Sequence, residues 1–225
     1  MTDDWPETEA GALAVQERIA RAADLTDPGP APGAARLIAG VDVAYDEHSD
    51  RLAAAVVVLD AATLDVVEQA TATGRARFPY VPGLLAFREL PPVLDALAGL
   101  SAAPDLVVCD GYGLAHPRRA GLAVHLGVLT GLPCFGVAKT PFVYGHPDPG
   151  PARGDTAPLL DGAETVGRAL RTRAGVRPVY VSVGHRISLD HACAHTLALT
   201  SNGFRQPETT RRADHLCRAA LKDAL

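Results

Sequence analysis

The chain has 225 residues, a mass of 23.4 kDa and a formal net charge of -5, and 48% of its residues are hydrophobic. This composition is typical of a globular protein with a substantial core, and we expect one domain over residues 1–225. No apolar stretch approaches the ~20 residues that cross a bilayer, which excludes a membrane-spanning protein. The first residues, MTDDWPETEAG, lack the basic and apolar regions of a secretory signal, so we expect a cytoplasmic location.

Charge is distributed unevenly along the chain. Residues 1–65 carry 4 basic and 13 acidic side chains, whereas the remainder carries 17 and 13. A locally basic surface is therefore compatible with the negative net charge of the whole chain. The alternative is that arginines of this second part merely solvate a helix face, as could Arg168, Arg171, Arg173 and Arg177. The four cysteines lack CxxC spacing, which favours buried, reduced thiols over disulfides or a zinc site.

Sequence patterns alternate between helix and strand signals. AVQERIARAADL predicts an amphipathic helix, and a Pro/Gly connector leads into three strands, LIAGVDVAYD, RLAAAVVVLD and TLDVVEQATATG, arranged as an antiparallel meander. VPGLLAFREL predicts a helix with Pro82 near its first turn, which the Pro91–Pro92 pair should break or kink.

The second half of the chain predicts parallel strands and further helices. DLVVCD and LPCFGVAK are apolar strands of the kind found in parallel sheets, separated by a helix over HPRRAGLAVHLGVLTG with Pro117 at its start. RPVYVSVGHRISL suggests a hairpin or a pair of strand ends, and two helices finish the chain. The order predicts an α/β fold, in which a mixed sheet of three antiparallel strands followed by parallel strands is flanked by helices.

Two carboxylates lie at positions suited to ligands. Asp42 shares its strand face with Gly40 and Ala44, whose small side chains leave room beside it. Asp110 ends an apolar strand and is followed by a glycine-flanked loop, where sheets with parallel strands bind ligands. Taken alone, Asp42 could pair with an arginine, and Asp110 could be a turn or capping residue.

Two further carboxylates extend this set. Glu89 lies one helical turn after Leu85 and could point inward, and Asp214 lies in the last predicted helix; either could instead be solvated. Neighbouring carboxylates need a cation, and divalent ions such as Mg2+ prefer oxygen ligands together with substrate phosphates. The set therefore favours metal-assisted phosphoryl hydrolysis.

Basic and aromatic residues add to this hypothesis. The run from His116 to Arg119 is predicted to open a helix, whose free N–H groups and dipole favour a phosphate. Lys139 ends an apolar strand, and Tyr80 is held between prolines, which suits stacking on unpaired bases. As alternatives, Arg118 and Arg119 could simply be solvated at a helix start, and Lys139 could bury its aliphatic stem with its ammonium in water. Tyr80 could pack against its own loop.

The motifs VDVAY, PYVPGLLAFRE, CDGYGLAHPRRAGLAVHLG, GVAKT, GHRISL and TTRRAD, in this order across nearly the whole chain, resemble the endonuclease V family. The resemblance implies a ribonuclease H-like fold and an Mg2+-dependent or Mn2+-dependent endonuclease in DNA repair. Such an enzyme nicks nucleic acid at the second phosphodiester bond 3′ to a deaminated base, chiefly inosine, leaving a 3′-hydroxyl and a 5′-phosphate. We expect a monomer that acts on DNA with deaminated bases, and RNA with inosine remains a further candidate substrate.

The resemblance also implies residue roles. The metal-site carboxylates would be Asp42, Glu89, Asp110 and Asp214. His116 and Lys139 would complete the catalytic set as polar partners at the scissile phosphate. The substrate would meet a wedge of Pro79, Tyr80, Val81 and Pro82, and a pocket formed by Gly83, Leu85, Gly111, Gly121 and Arg118. Tyr112 departs from the family pattern, which commonly has another polar residue there.

Two other function classes remain as alternatives. An ATP-binding domain of the same broad fold would also use GVDVAY and an Asp-Gly loop, but it needs two such lobes. An inactive nucleic-acid-binding module would keep the fold, but the intact set of carboxylates argues against it.

Overall fold

The computed structural model of the protein describes residues 5–224, with eight strands and five helices in that range. The strands are β1 (Leu37–Tyr45), β2 (Arg51–Asp60), β3 (Val66–Arg75), β4 (Leu106–Cys109), β5 (Cys134–Ala138), β6 (Thr156–Asp161), β7 (Glu164–Leu170) and β8 (Val179–His185). The helices are α1 (Glu9–Ala22), α2 (Ala86–Ala98), α3 (Leu122–Thr130), α4 (Leu189–Ala198) and α5 (Glu208–Asp223).

All eight strands belong to one sheet in the order β3-β2-β1-β4-β5-β8-β7-β6. The predicted meander of β1, β2 and β3 is antiparallel, and β4 pairs in parallel with both β1 and β5. The outer strands β8, β7 and β6 pair antiparallel. The carboxyl ends of β1, β4 and β5 therefore meet at one edge of the sheet, where polar side chains converge.

Helices cover both faces of the sheet because its central strands are apolar on both sides. On one face, α2 and α3 pack on Ala39, Val41, Val56 and Val107. On the other face, α4 packs on a cluster that includes Phe135 and Val181, and α5 packs on Ala53 and Ala55. Strands β2 and β4 are buried along nearly their whole length, which explains their continuous hydrophobic sequence.

Pro91 and Pro92, which were predicted to break or kink α2, do not break it, because the helix continues to Ala98. Each proline removes a helical hydrogen bond, yet its fixed φ remains compatible with helix. Leu90, Pro92 and Val93 are buried against the sheet, and this packing outweighs the two lost bonds.

The prediction that His116–Arg119 opens a helix is also wrong. Helix α3 begins at Leu122, and Arg119 has φ +55, a left-handed conformation that cannot continue a right-handed helix. The guanidinium of Arg119 instead forms ion pairs with Asp161 and Glu164. No helix N-terminus therefore offers N–H groups to a phosphate at this segment.

The sequence interpretation missed β6 and β7 and misjudged β8. The Asp161–Gly162 dipeptide, with Gly162 at φ +60, is a hairpin signal between these two strands. RPVYVSVGHRISL forms the single strand β8 and the approach to α4, not a hairpin. Between residues 5 and 224, no helix is both long and apolar enough to cross a membrane.

Candidate active site

Asp42 and Asp110 come together because their strands are parallel neighbours. Val41 is the register partner of Cys109, and the N–H of Asp110 donates to the carbonyl of Val41 at 3.1 Å. Each aspartate follows its paired residue by one position, so both carboxylates point to the sheet face that α5 covers. Burial of Asp42 and repulsion from Asp110 raise the pKa of Asp42.

Helix α5 occupies the space that the sequence predicted beside Asp42. A Cβ on Gly40 would lie 2.3 Å from the backbone carbonyl of Thr209, so only glycine permits this approach. The first turn of α5 is thereby held against β1, and Asp214 follows on the same helix. The small residues of β1 thus allow α5 to pack closely on the strand. This packing places the carboxylate of Asp214 beside the sheet.

Lys139 is the cation at the centre of these carboxylates. Its Nζ lies 2.6 Å from Oδ2 of Asp110 and 3.8 Å from Oδ1 of Asp214. Burial raises the pKa of Asp110, although Lys139 partly offsets this shift. Burial would also raise the pKa of Asp214, but the Arg218 and Lys139 cations hold that pKa below its usual value.

Glu89 reaches the same edge of the sheet from α2. Its Oε1 accepts a hydrogen bond of 2.9 Å from the hydroxyl of Tyr45, and the Arg88 guanidinium lies 5.2 Å from the Tyr45 ring centroid. Burial raises the pKa of Glu89 to about 7, which the Tyr45 hydrogen bond moderates. Tyr45 lies three residues after Asp42 in β1 and therefore on the opposite strand face, from which it meets α2.

The carboxylates at this edge of the sheet offer a donor set for a divalent metal ion. Within the described range, no group of three or more His, Cys, Asp or Glu side chains is already arranged around a metal position. The chemistry nevertheless fits, because Asp42, Asp110 and Asp214 offer only oxygen donors and repel one another. Oδ2 of Asp110 is buried, and the Lys139 ammonium lies 2.6 Å from it. This oxygen is available to a metal ion once the ammonium moves.

A cavity of about 270 Å³ opens beside this carboxylate cluster. It is lined by four of the predicted polar residues, Glu89, Asp110, His116 and Lys139. Four predicted pocket residues, Gly83, Leu85, Gly111 and Gly121, also line it. The fold thus brings predicted residues from separate segments of the chain to one cavity wall, and their roles there stay predictions. A larger cavity, of about 430 Å³, lies elsewhere against α2 and contains none of the predicted catalytic residues.

His116 is held inside the protein by both of its ring nitrogens. Nε2 lies 3.0 Å from the carbonyl oxygen of Gly83 and therefore carries the proton, while Nδ1 accepts from the N–H of Arg118 at 3.2 Å. Burial and the neighbouring Arg118 cation lower the pKa of His116 to about 4, so its ring is neutral near pH 7. Contact of His116 with a scissile phosphate stays a prediction.

Gln16 and Phe142 are part of the site and were missed from the sequence. The amide of buried Gln16 donates to the carbonyls of Gly83 and Ala120, at 2.8 and 2.9 Å, and so joins two walls of the cavity. A glutamine on the apolar face of α1 was the available signal. The Phe142 ring stacks on His116 with centroids 5.6 Å apart and an interplanar angle of 11°; an aromatic in a loop carries no such signal.

The predicted wedge segment immediately precedes Gly83, a residue of the cavity wall. Tyr80 is 71% exposed, while Gly83, three residues later, enters the cavity wall with φ +82. Pro79, Val81 and Pro82 lie outside the cavity lining. Arg118 also lies outside it and donates to Gly83 O at 2.9 Å, which ties the wedge segment to the His116 loop. Tyr112 lines the cavity and donates its hydroxyl to Thr140 O at 2.9 Å.

Comparison with known proteins identifies the family. The family model described as Endonuclease V matches residues 17–215. Endonuclease V of Streptomyces avermitilis is 66% identical over 220 residues, which cover 98% of this chain and 95% of that protein.

Solved structures agree with this match. The crystal structure of Endonuclease V from Streptomyces avermitilis superposes with a TM-score of 0.94 at 65% identity and covers 98% of this chain and 96% of its own. Ciona intestinalis Endonuclease V, in complex with a 24mer DNA containing an inosine followed by a ribo-adenosine, superposes with a TM-score of 0.85 at 26% identity. The alignment covers 98% of this chain and 100% of the Ciona chain. The predicted ribonuclease H-like fold is confirmed.

Proposed function

Because the chain belongs to the endonuclease V family, we propose that it is a metal-dependent endonuclease specific for inosine in nucleic acid. It nicks the strand at the second phosphodiester bond 3′ to the inosine and leaves a 3′-hydroxyl and a 5′-phosphate. The reaction serves DNA repair, with DNA containing deaminated bases as the substrate and inosine-containing RNA as a second candidate. The enzyme acts as a monomeric single domain over residues 1–225 in the cytoplasm.

One observation carries the proposal: Glu89 and Asp110 line a cavity sized for part of a nucleotide, and Lys139, which also lines it, contacts both Asp110 and Asp214. The cavity of about 270 Å³ is lined by backbone glycines and by the His116 and Phe142 rings, which suits a planar base. The carboxylates lie at its edge, where a phosphate attached to a bound nucleotide would pass. The Ciona relative was crystallised with inosine-containing DNA, which supports the same class of substrate.

Asp42, Asp110, Glu89 and Asp214 would hold the metal, with Mg2+ as the proposed ion and Mn2+ as a substitute. When bound, the metal supplies activation of water and stabilisation of the leaving oxygen. Lys139 leaves its ion pair with Asp110 and places its ammonium beside the phosphate, where negative charge grows in the transition state. Glu89 is held in place by the hydroxyl of Tyr45.

Tyr80 fills the gap that the extruded base leaves. The ring is exposed and belongs to the segment that leads into Gly83 of the cavity wall, so it can stack on the bases that remain in the duplex. Gly83 and His116 join the wedge segment to the cavity wall through the 3.0 Å contact between Nε2 and the glycine carbonyl. This contact therefore fixes the position of the wedge segment relative to the wall of the base pocket.

The test is a cleavage assay on end-labelled strands that contain one inosine, in Mg2+, with the product mapped to the nucleotide. The proposal expects one cut, at the second bond 3′ to the inosine, and no cut in the matched strand with adenine. Asp110→Asn should abolish the cut, whereas Asp148→Asn should not, because Asp148 is an exposed carboxylate that pairs with Arg171 and does not line the cavity. Cutting at random positions, or normal cutting by Asp110→Asn, would disprove the assignment.

A further inference from the structure

The end of β3 carries a row of cations that the catalytic site does not use. Arg51 is the register partner of Arg75 across β2 and β3, and Arg77 follows two residues later. Arg75 and Arg77 are exposed, and none of the three forms an ion pair with a carboxylate in the described part of the chain. We name Arg51, Arg75 and Arg77 the arginine row.

This arrangement is costly for the folded protein alone. Like charges directly opposite each other across two strands are destabilising. The chain has 26 acidic residues available as partners, and two arginines singled out in its sequence, Arg168 and Arg171, do pair with Asp190 and Asp148. Arg51 donates to the backbone carbonyl of Ala224, but no carboxylate among residues 5–224 pairs with the arginine row, which points to an external anion.

Two surface cavities receive these side chains. One, of about 430 Å³, is lined by Arg75, Arg77 and Arg88, with Asp95 as its carboxylate. The other, of about 220 Å³, is lined by Arg51 and Arg75, and no carboxylate of residues 5–224 lines it. Nε of Arg88 is buried without a hydrogen-bond partner, so this guanidinium also retains donor capacity there.

The arginine row is fixed relative to the wedge. Phe78, between Arg77 and Tyr80, is buried and its ring lies 5.5 Å from that of Phe87 in α2. The carbonyl of Phe78 accepts a hydrogen bond of 2.7 Å from Nη1 of Arg88. The segment from Arg75 to Tyr80 is therefore anchored at its centre, with its exposed side chains held on the surface.

We propose that the arginine row binds backbone phosphates of the nucleic acid on one side of the inosine. The proposal rests on the proposed function and extends it to a second contact surface. Arg77 and Tyr80 are three residues apart, which spans at most about 11 Å, and five residues from Arg75 span at most about 18 Å. With a rise of about 3.4 Å per base pair, the contacted phosphates lie within about five base pairs of the wedge.

The test measures the salt dependence of binding to an inosine duplex without divalent metal, so that the strand stays intact. Each lost phosphate contact lowers the slope of log affinity against log salt by about 0.9, so Arg75→Gln/Arg77→Gln should lower it by about 2. The affinity deficit of this variant should consequently shrink by about 12-fold between 50 and 200 mM salt.

Two variants serve as controls. Arg36→Gln removes an exposed arginine before the first residue of β1, at the end of that strand away from the site, and should keep the wild-type slope. Arg75→Lys/Arg77→Lys keeps both charges and should retain most of the slope, because phosphate contacts depend mainly on charge. Shortening one flank of the duplex to two base pairs should erase the difference between the wild type and the glutamine variant.

Three outcomes would overturn the inference. These are an unchanged slope in the glutamine variant, an equal loss in Arg36→Gln, and a difference that persists when both flanks are two base pairs long. The wild-type protein separates the two proposals. If it fails to nick inosine strands, the proposed function is wrong, whereas normal nicking with an unchanged slope rejects only the arginine row.

Discussion

Gly40→Ala tests the link between the fold and the site. The new Cβ would lie 2.3 Å from the carbonyl carbon and oxygen of Thr209 and 2.7 Å from its Cβ. Ordinary van der Waals contact begins near 3.4 Å, so the first turn of α5 must retreat from β1 by about 1 Å. Two of the three clashing atoms are backbone, and a rotamer change at Thr209 cannot relieve them.

The expected cost follows from overpacking of a buried contact. Such insertions cost about 1–3 kcal/mol, which for a chain of this length lowers Tm by roughly 2–12 °C. Asp214 lies five residues after Thr209, about 7.5 Å along α5, and moves with the helix. Gly40→Ala should therefore lose nicking activity as well as stability, because Asp214 leaves its place near Lys139.

The measurements are urea denaturation and the inosine cleavage assay. Gly74→Ala is the matched control, since a Cβ there meets nothing within 4 Å and the strand backbone tolerates alanine. It should stay within about 0.5 kcal/mol of the wild type and keep full cleavage. Equal stability of the two variants would refute the close approach of α5 to β1. Normal cleavage by an unstable Gly40→Ala would refute the role of α5 in placing Asp214.

Three further predictions concern single side chains. Asp110→Asn should reduce nicking at least about 100-fold, because a metal site is worth several kcal/mol of transition-state stabilisation, while gel-shift binding of inosine strands persists. Tyr80→Ala should weaken duplex binding by roughly 5- to 150-fold, because it loses about 1–3 kcal/mol of stacking, whereas Tyr80→Phe should keep most of the binding affinity. A larger loss of affinity for single strands than for duplex would contradict the role of Tyr80 as the wedge. Burial lowers the pKa of His125 from 6.5 to about 4, so the unfolded chain takes up this proton first as pH falls. The stability that neutral His125 contributes is complete above pH 6.5 and falls by up to about 3 kcal/mol toward pH 4, and His125→Phe should flatten this part of the stability curve measured by denaturation.

The sequence by itself determined the central strands and the residues at their ends. Continuous apolar runs in β2 and β4 reflect burial on both faces of these strands. Such a run predicts burial whichever strands and helices pack against it. Asp42, inside β1, and Asp110, directly after β4, follow from the same pattern, because a carboxylate in or next to a buried strand stands out against apolar surroundings. The family motifs then supplied the roles proposed for Glu89, His116, Lys139 and Asp214, which spacing alone left open.

The tertiary structure decided everything that depends on contacts between distant segments. Packing on the sheet carries α2 through Pro91 and Pro92, against the local preference of proline. Ion pairs with the β6–β7 hairpin hold Arg119 in a left-handed conformation, which delays α3 to Leu122. The position of Asp214 depends on the approach of Thr209 to Gly40, across 169 residues of chain that no local pattern spans. Local sequence patterns indicate which side chains are buried. The contact partner of each buried or charged group is determined only by the tertiary contacts between distant segments.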